Sequence, residues 1–593
     1  MTLSGPLSPD LETTIAMVEV AQGKRPADTY IYGGDVVNVY SGEVLPQNIA
    51  VHRGRIAYVG AQRSMVGPDT RTIDASGFVL TPGYVNAHDH SDVLTTPTTH
   101  SAEALRRGST TIFYNGRHIP FLVGPEEYRQ IIDQLSALPV KLFFGIETGK
   151  GGYRLTQDTG EDYEAVRYLL TSPRIFGLHE VVRWAEVIGG DRSLLQKLTL
   201  VLQHGKTVEG HTAGASYDKL NALVAAGFQT CHESISLQEV LNRLRLGLYA
   251  MLRCSSIRPH DLPDMLRAIT ESGVSSSRLI LVPDGMIPSD SIEKGNMDFV
   301  VASALDAGVE PVTAYQMATL NPATHFGMDG EIGGIAPRRW ADILFLRDLR
   351  EPTPVRVMSS GEMVVEDGRL TVDFPEPDYY RLIHTKFAMV KRPPELDPAT
   401  FEVPGEEGKP FPVIEMVSSV INRRLDLVIP VENGVLKSDP QADILYVALV
   451  AGSAGRTTRG LIKGFGAAIG GMAVTADGSS EMVVIGHDPA QMSAAARRVW
   501  ELQGGIVIHD GGRRIFELPL PIGGVMSPEP LPLLAARTSE AARILKQKGF
   551  PFDDMHYTIG TLTWYFLPQL RLTAEGILDV KQGMIVVPSA PLS

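Results

Sequence analysis

The chain of 593 residues has only two cysteines, Cys231 and Cys254, and four tryptophans. Two cysteines exclude a disulfide framework and fit a reducing compartment, so a cytoplasmic protein is expected. No uninterrupted apolar run reaches the ~18 residues that a membrane-spanning helix needs, so no membrane is expected among its partners. The opening MTLSGPLSPDLETT has no basic start and no apolar core, and no secretory signal is expected there. Basic charge is also short. The 54 Lys and Arg face 68 Asp and Glu, a formal net charge of −14. That balance argues against a nucleic-acid backbone as the main partner. Repeats and low-complexity tracts are absent. With 44% hydrophobic and 21% charged residues, the composition is that of an ordinary globular protein rather than a disordered one.

What is present is length enough for several domains. Residues 1–26 read as a short N-terminal helical segment. From Thr29 the pattern turns to short strands broken by Gly33-Gly34, Ser41-Gly42 and Arg53-Gly54, which is hairpin chemistry. From about residue 78, eight apolar runs alternate with helix-like stretches. They are FVLTPGYVNAHDH, TTIFYN, KLFFGIE, RIFGLHEV, KTVEGHT, FQTCHE, LYAMLR and RLILVPD. Eight such units predict a closed (β/α)8 barrel in an α/β protein. The small-strand pattern returns after Pro337, in RRWADILFLRDL and VRVMSSGEMVVEDGRL. The expected organisation is therefore a split small β sandwich over 27–77 and 336–370, with the barrel over 78–335. A Pro- and Glu-rich linker follows over 371–410, and a separate α/β domain over 411–593.

Polar residues gather at the ends of the eight runs: His88, His90, Asn115, Glu180, His211, His232, Arg253 and Asp284. The C-terminal ends of barrel strands form one rim, where the chemistry of this fold sits. His88 and His90 are two apart on a strand, so both imidazoles face one way and can share an ion. An isolated HxH pair reads more readily as surface or core histidines with ordinary hydrogen bonds. With His211, His232 and Asp284 on the same rim, the set suits zinc, iron or manganese, with the carboxylate as general base. His100, His179 and His325 are expected to be structural or exposed. GGIVIHDGG lacks the spacing and the strand–helix context of a phosphate loop and reads as a hairpin.

The order HxH, His, His, Asp on successive barrel strands, inside a split β unit, resembles the amidohydrolase superfamily. More narrowly, the chain is similar over most of its length to the bacterial adenine deaminase family. The similarity rests on TPGYVNAHDH, LRRGSTTIF, EGHTAG, CHES with LRLGLYAMLR, MATLNPATHFG, GGIAPRRWADILFL, KGFG, GGIVIHDGG and LPLPIGGVMS. This resemblance implies hydrolytic deamination of a 6-aminopurine by a metal-activated water. His88, His90, His211 and His232 would be metal ligands, and Asp284 the metal-linked proton shuttle. Glu180 would be the proton donor to the ring, and Glu233 and Arg253 substrate contacts. The cofactor would be one or two divalent ions, manganese first, with iron or zinc as alternatives. A purine base is the expected partner, and a homo-oligomer the expected assembly.

Two stretches depart from the family. Where it carries DPHE, with a metal-ligating Glu, this chain has NGRH, so His118 takes that place as a candidate ligand. Where the C-terminal domain of the family carries an HDSHN-type motif, this chain has ADGSS followed by Glu481. An N6-substituted adenine or another aminated heterocycle is therefore an alternative substrate. A cyclic-amide hydrolase would call for a modified lysine on a barrel strand, and Lys206 lies before the fifth run rather than on the fourth. A barrel that has lost catalysis is opposed by the retained histidines and Asp284. The signature of the other zinc deaminase class, H-x-E with P-C-x-x-C, does not occur.

Overall fold

Short strands punctuated by glycine turns cannot bury two faces alone, and here they pair across the length of the chain. The computed structural model describes residues 8–147, 161–383, 395–476 and 481–592. Helix Leu11–Ala21 is capped by Asp10, whose carboxylate accepts the amide of Thr13. Beyond it, Thr29–Tyr32, Asn48–His52, Arg55–Gly60 and Arg71–Asp74 form a four-stranded sheet. Strand Ile343–Leu346 returns from far along the chain and pairs antiparallel with Val79–Pro82, bringing Ile343 opposite Pro82. Ile31, Ile49 and Ile56 from one sheet pack on Leu80, Ile343 and Phe345 from the other. This shared apolar core makes the two distant segments one sandwich.

Between these segments lie eight parallel strands: β1 Tyr84–Asp89, β2 Ser109–Tyr114, β3 Lys141–Ile146, β4 Ile175–Val181, β5 Thr207–Gly210, β6 Thr230–Cys231, β7 Tyr249–Arg253 and β8 Leu279–Val282. They form two arcs, β1–β5 and β6–β8. A bond from Gln229 N to Val208 O and a parallel bridge between Asp89 and Asp284 link the arcs. The interior is packed rather than open. Val85, Phe113, Phe143 and Phe176, one from each of β1–β4, cluster with Ala323 and Ile332, and Phe326 stacks on Phe113. Such filling leaves only the strand ends to form a site.

The C-terminal domain is built on one large mixed sheet that includes Pro410–Met416, Ile444–Ala451, Arg456–Lys463 and Gly505–Asp510. Helices Pro489–Glu501 and Leu531–Gln547 flank it. The stretch read as a linker packs at both ends. Tyr379 and Leu382 join the barrel core, while Leu396, Phe401 and Val403 join the C-terminal core. Residues 384–394 between them lie outside the described residues, as do 1–7 of the N-terminal segment. The C-terminal domain sits on the barrel mouth. Val93 and Leu94, just after β1, are buried in its core beside Leu445, Phe465 and Tyr557. Ser527 N bonds Leu94 O at 2.9 Å. No helix among the described residues is long and apolar enough to cross a membrane.

Candidate active site

Each polar residue at the rim is carried there by its strand. His88 lies in β1 and His90 follows it. Glu180 is one residue from the end of β4. His211 follows β5, His232 follows β6, Arg253 ends β7, and Asp284 comes two residues after β8. The ladder between β1 and β2 shifts register between Asn86 and Asp89, and that between β4 and β5 shifts between Leu178 and Val181. Such irregularities re-aim side chains beside functional sites. Asp284 itself has φ +57, a left-handed conformation that is costly for a residue with a Cβ.

These side chains converge. Asp284 Oδ1 lies 3.2 Å from His90 Nε2 and 3.5 Å from His88 Nε2. Glu180 Oε1 lies 3.3 Å from His90 Nε2, and Oε2 lies 2.8 Å from His211 Nδ1 and 3.3 Å from His232 Nε2. The rings of His88 and His232 stack with centroids 4.0 Å apart. Three sets bring their donor atoms within 4.8 Å of one another: His88, His90 and Glu180; His88, His232 and Asp284; Glu180, His211 and His232. All six residues are buried.

The electrostatics match a cation site. Burial disfavours the charged form of Glu180, but hydrogen bonds from His211 and His232 hold its carboxylate well below the usual range. For Asp284, bonds from His88 and His90 and the charge of Arg253 override burial in the same way. Burial lowers His90, yet Asp284 and Glu180 raise it to about 9. His232, next to His88, is pushed down to about 4 by burial and by that neighbour. Imidazoles so crowded cannot all be protonated. His88 Nδ1 and His211 Nε2 have no hydrogen-bond partner among the described residues. Mixed imidazole and carboxylate donors, buried and under-partnered, fit a divalent metal.

The surroundings orient the donors. His90 Nδ1 meets the Asn115 carbonyl at 2.7 Å, which leaves Nε2 for the cluster. Arg253 forks onto Glu233, with Nη2 3.1 Å from Oε2, and its Nη1 reaches Asp284 Oδ2 at 3.1 Å. Glu233 Oε1 stands 3.4 Å from His232 Nε2. His179 pairs with Glu147 at 2.8 Å, His325 with Glu209 at 2.9 Å and His100 with Asp89 at 3.0 Å, and none of the three joins the clustered donors.

His118 does not join the clustered donors. Asp92 accepts the amides of Arg117, His118 and Ile119 at 2.9, 2.7 and 2.7 Å and sets the turn after β2. The His118 side chain lines a neighbouring compartment with Thr475 and His556. Alignment along the chain put His118 in the ligand position, but it is Glu180 on β4 that stands among the histidines. Residues 477–480 of the altered ADGSS stretch lie outside the described residues.

The sequence reading missed the roof. The cavity over the histidines has a volume of about 50 Å³ and is lined from above by Val420, Tyr557, Trp564, Phe566 and Leu567. Arg117 lies over the Trp564 ring at 4.0 Å. These residues come from a different domain, and only the aromatic run Trp564-Tyr565-Phe566 offered a local signal.

A family model described as the adenine deaminase C-terminal domain matches residues 419–584, and one described as the amidohydrolase family matches residues 79–364. Among curated proteins, an adenine deaminase of Moorella thermoacetica is 36% identical over 98% of each chain. One of Rubrobacter xylanophilus is 34% identical over 97% of each. Adenine deaminase 3 of Rhizobium meliloti is 32% identical over 97% of this chain and 98% of its own.

Proposed function

The chain belongs to the adenine deaminase family of amidohydrolases, and on that premise we propose that it converts adenine and water to hypoxanthine and ammonia. The observation that carries this is the buried set of four imidazoles and two carboxylates at the barrel mouth. We assign His88, His90, His211, His232, Glu180 and Asp284 to holding the metal, manganese in our reading, as one or two ions. When bound, such an ion lowers the pKa of water and supplies a nucleophile near neutral pH.

The protein's own groups do the rest. Asp284, ionised and held by Arg253 Nη1, takes the proton from water and passes it towards the departing amine. Glu180, read from sequence as the proton donor to the ring, has both oxygens engaged by histidines and carries no proton to give. Its role becomes that of a ligand. Glu233 is fixed by the Arg253 fork and faces the cavity, which suits it to accept a hydrogen bond from the substrate. The C-terminal residues Val420, Phe566 and Leu567 place apolar cover over the cluster, which strengthens polar contacts beneath it.

A second reading keeps the chemistry and changes the base. The ADGSS stretch in place of the polar motif favours an N6-substituted adenine or another aminated heterocycle. Ammonia or amine release from adenine, N6-methyladenine, adenosine and a cyclic amide separates these readings. Turnover of adenine, abolished in His88→Ala, is the expected result. Turnover of N6-methyladenine alone would replace the substrate, and silence on every amine would remove the deaminase.

A further inference from the structure

We infer that the C-terminal domain completes the substrate site, with the Tyr557 hydroxyl donating a hydrogen bond to a ring nitrogen of the bound base. This rests on the deaminase reading above. Tyr557 is 4% exposed, and its Oη has no hydrogen-bond partner among the described residues. A buried hydroxyl left in that state is uncommon and calls for an explanation. Tyr557 lines the same cavity as His90, Glu180, His211, Arg253 and Asp284. Its position is tight. A Cβ placed on Gly285 would come within 2.1 Å of Tyr557 Oη, so the phenol oxygen lies directly against the residue after Asp284. Only glycine at 285 permits that approach.

The phenol is firmly placed. The amide of Tyr557 is bonded by Asp554 Oδ1 at 2.8 Å, which caps helix Met555–Gly560. The Tyr557 ring meets Trp564 edge to face, Trp564 stacks on Phe566 at 5.8 Å, and Phe566 stands edge-on to His211 at 5.0 Å. A wall of three aromatic rings therefore runs from the Asp284 turn to His211. Trp564 Nε1 is a second buried donor without a partner among the described residues. A phenol is neutral at ordinary pH and can serve as a donor. An aromatic wall with two unspent donors suits a heterocycle rich in ring acceptors. Adenine offers N3 and N7 as acceptors that are not needed for protonation beside the reacting carbon.

The test uses the full-length, metal-loaded protein and its Tyr557→Phe variant, which removes one oxygen that has no partner to lose. kcat/KM is measured for adenine, Ki for 3-deazaadenine and 7-deazaadenine, and metal content for both proteins. The expected result is a fall of about tenfold in kcat/KM for Tyr557→Phe at unchanged metal content, the size of one hydrogen bond. One of the two deaza compounds should bind the wild type about tenfold worse than the other does, and Tyr557→Phe should erase that difference. An active wild type with Tyr557→Phe within twofold of it overturns the inference alone. So does a uniform loss in which the variant still discriminates between the deaza compounds, because a merely structural tyrosine behaves that way. A wild type silent on adenine overturns the deaminase reading as well.

Discussion

Both ends of the barrel bury charge, but they pair it differently. Below the strands, Lys141 Nζ meets Asp342 Oδ1 at 2.6 Å and Arg55 meets Glu331 at 2.6 Å, and both cations lie over the Trp340 ring. Asp342 also accepts the amide of Ser360 at 2.9 Å. Every cation in that group faces a carboxylate, and the group joins the small sandwich to the barrel. Above the strands, four imidazoles and two carboxylates crowd together, and His88 Nδ1 and His211 Nε2 are left without partners among the described residues. The paired end carries architecture. The under-partnered end is poised for a cation and for substrate.

Substitutions at the two ends should therefore fail in different ways. His88→Ala removes a donor at the upper end, and turnover should drop to background with loss of bound metal while the unfolding midpoint stays within a few degrees. Elemental analysis and a melting curve check this. At the lower end, Lys141→Met leaves Asp342 as an uncompensated buried charge and should cost about 3–5 kcal/mol of stability. The folded fraction should keep its turnover per site. Urea unfolding paired with active-site titration reads both, and loss of turnover without loss of stability would break the comparison. Arg253→Lys keeps the charge but loses the fork that holds Glu233 and Asp284. It should lower kcat/KM about 10–100-fold at constant metal content.

A further contrast lies in the roof, where Asp554 is raised to about 7 chiefly by burial, with the charge of Asp290 adding to it. Its unfolded value is about 3.9. A raised folded value means that its contribution to stability is complete below about pH 4 and is lost as pH rises through about 7. Asp554→Asn keeps the cap on Tyr557 and removes the titration. The wild type should lose stability relative to this variant between pH 4 and 7, and parallel curves for the two proteins would contradict the assignment.

Much of this contrast was legible in the chain. His88, His90, His211, His232 and Asp284 each close an apolar run, and eight such runs imply one rim. Strand Ile343–Leu346 announced its return to the sandwich because the short-strand pattern reappears after Pro337. The role of Glu180 was not legible. A carboxylate at a strand end reads equally well as acid or ligand, and its distances to three histidines favour the ligand. His118 was named from its place along the chain, which does not show that the turn set by Asp92 puts it beside Thr475 and His556. Tyr557 was invisible, and Trp564 showed only as part of an aromatic run, because both reach the cavity from another domain, with no periodicity tying them to the barrel.

The central claim is that the buried imidazole–carboxylate cluster is a metal centre that deaminates adenine. The most direct measurement strips the purified protein with a chelator, restores manganese stepwise, and follows hypoxanthine and ammonia from adenine. The account predicts no product from the stripped protein, and equal amounts of both products rising with restored metal until one or two ions are bound per chain. Undiminished turnover after stripping, or full metal occupancy with no product from adenine, would contradict it.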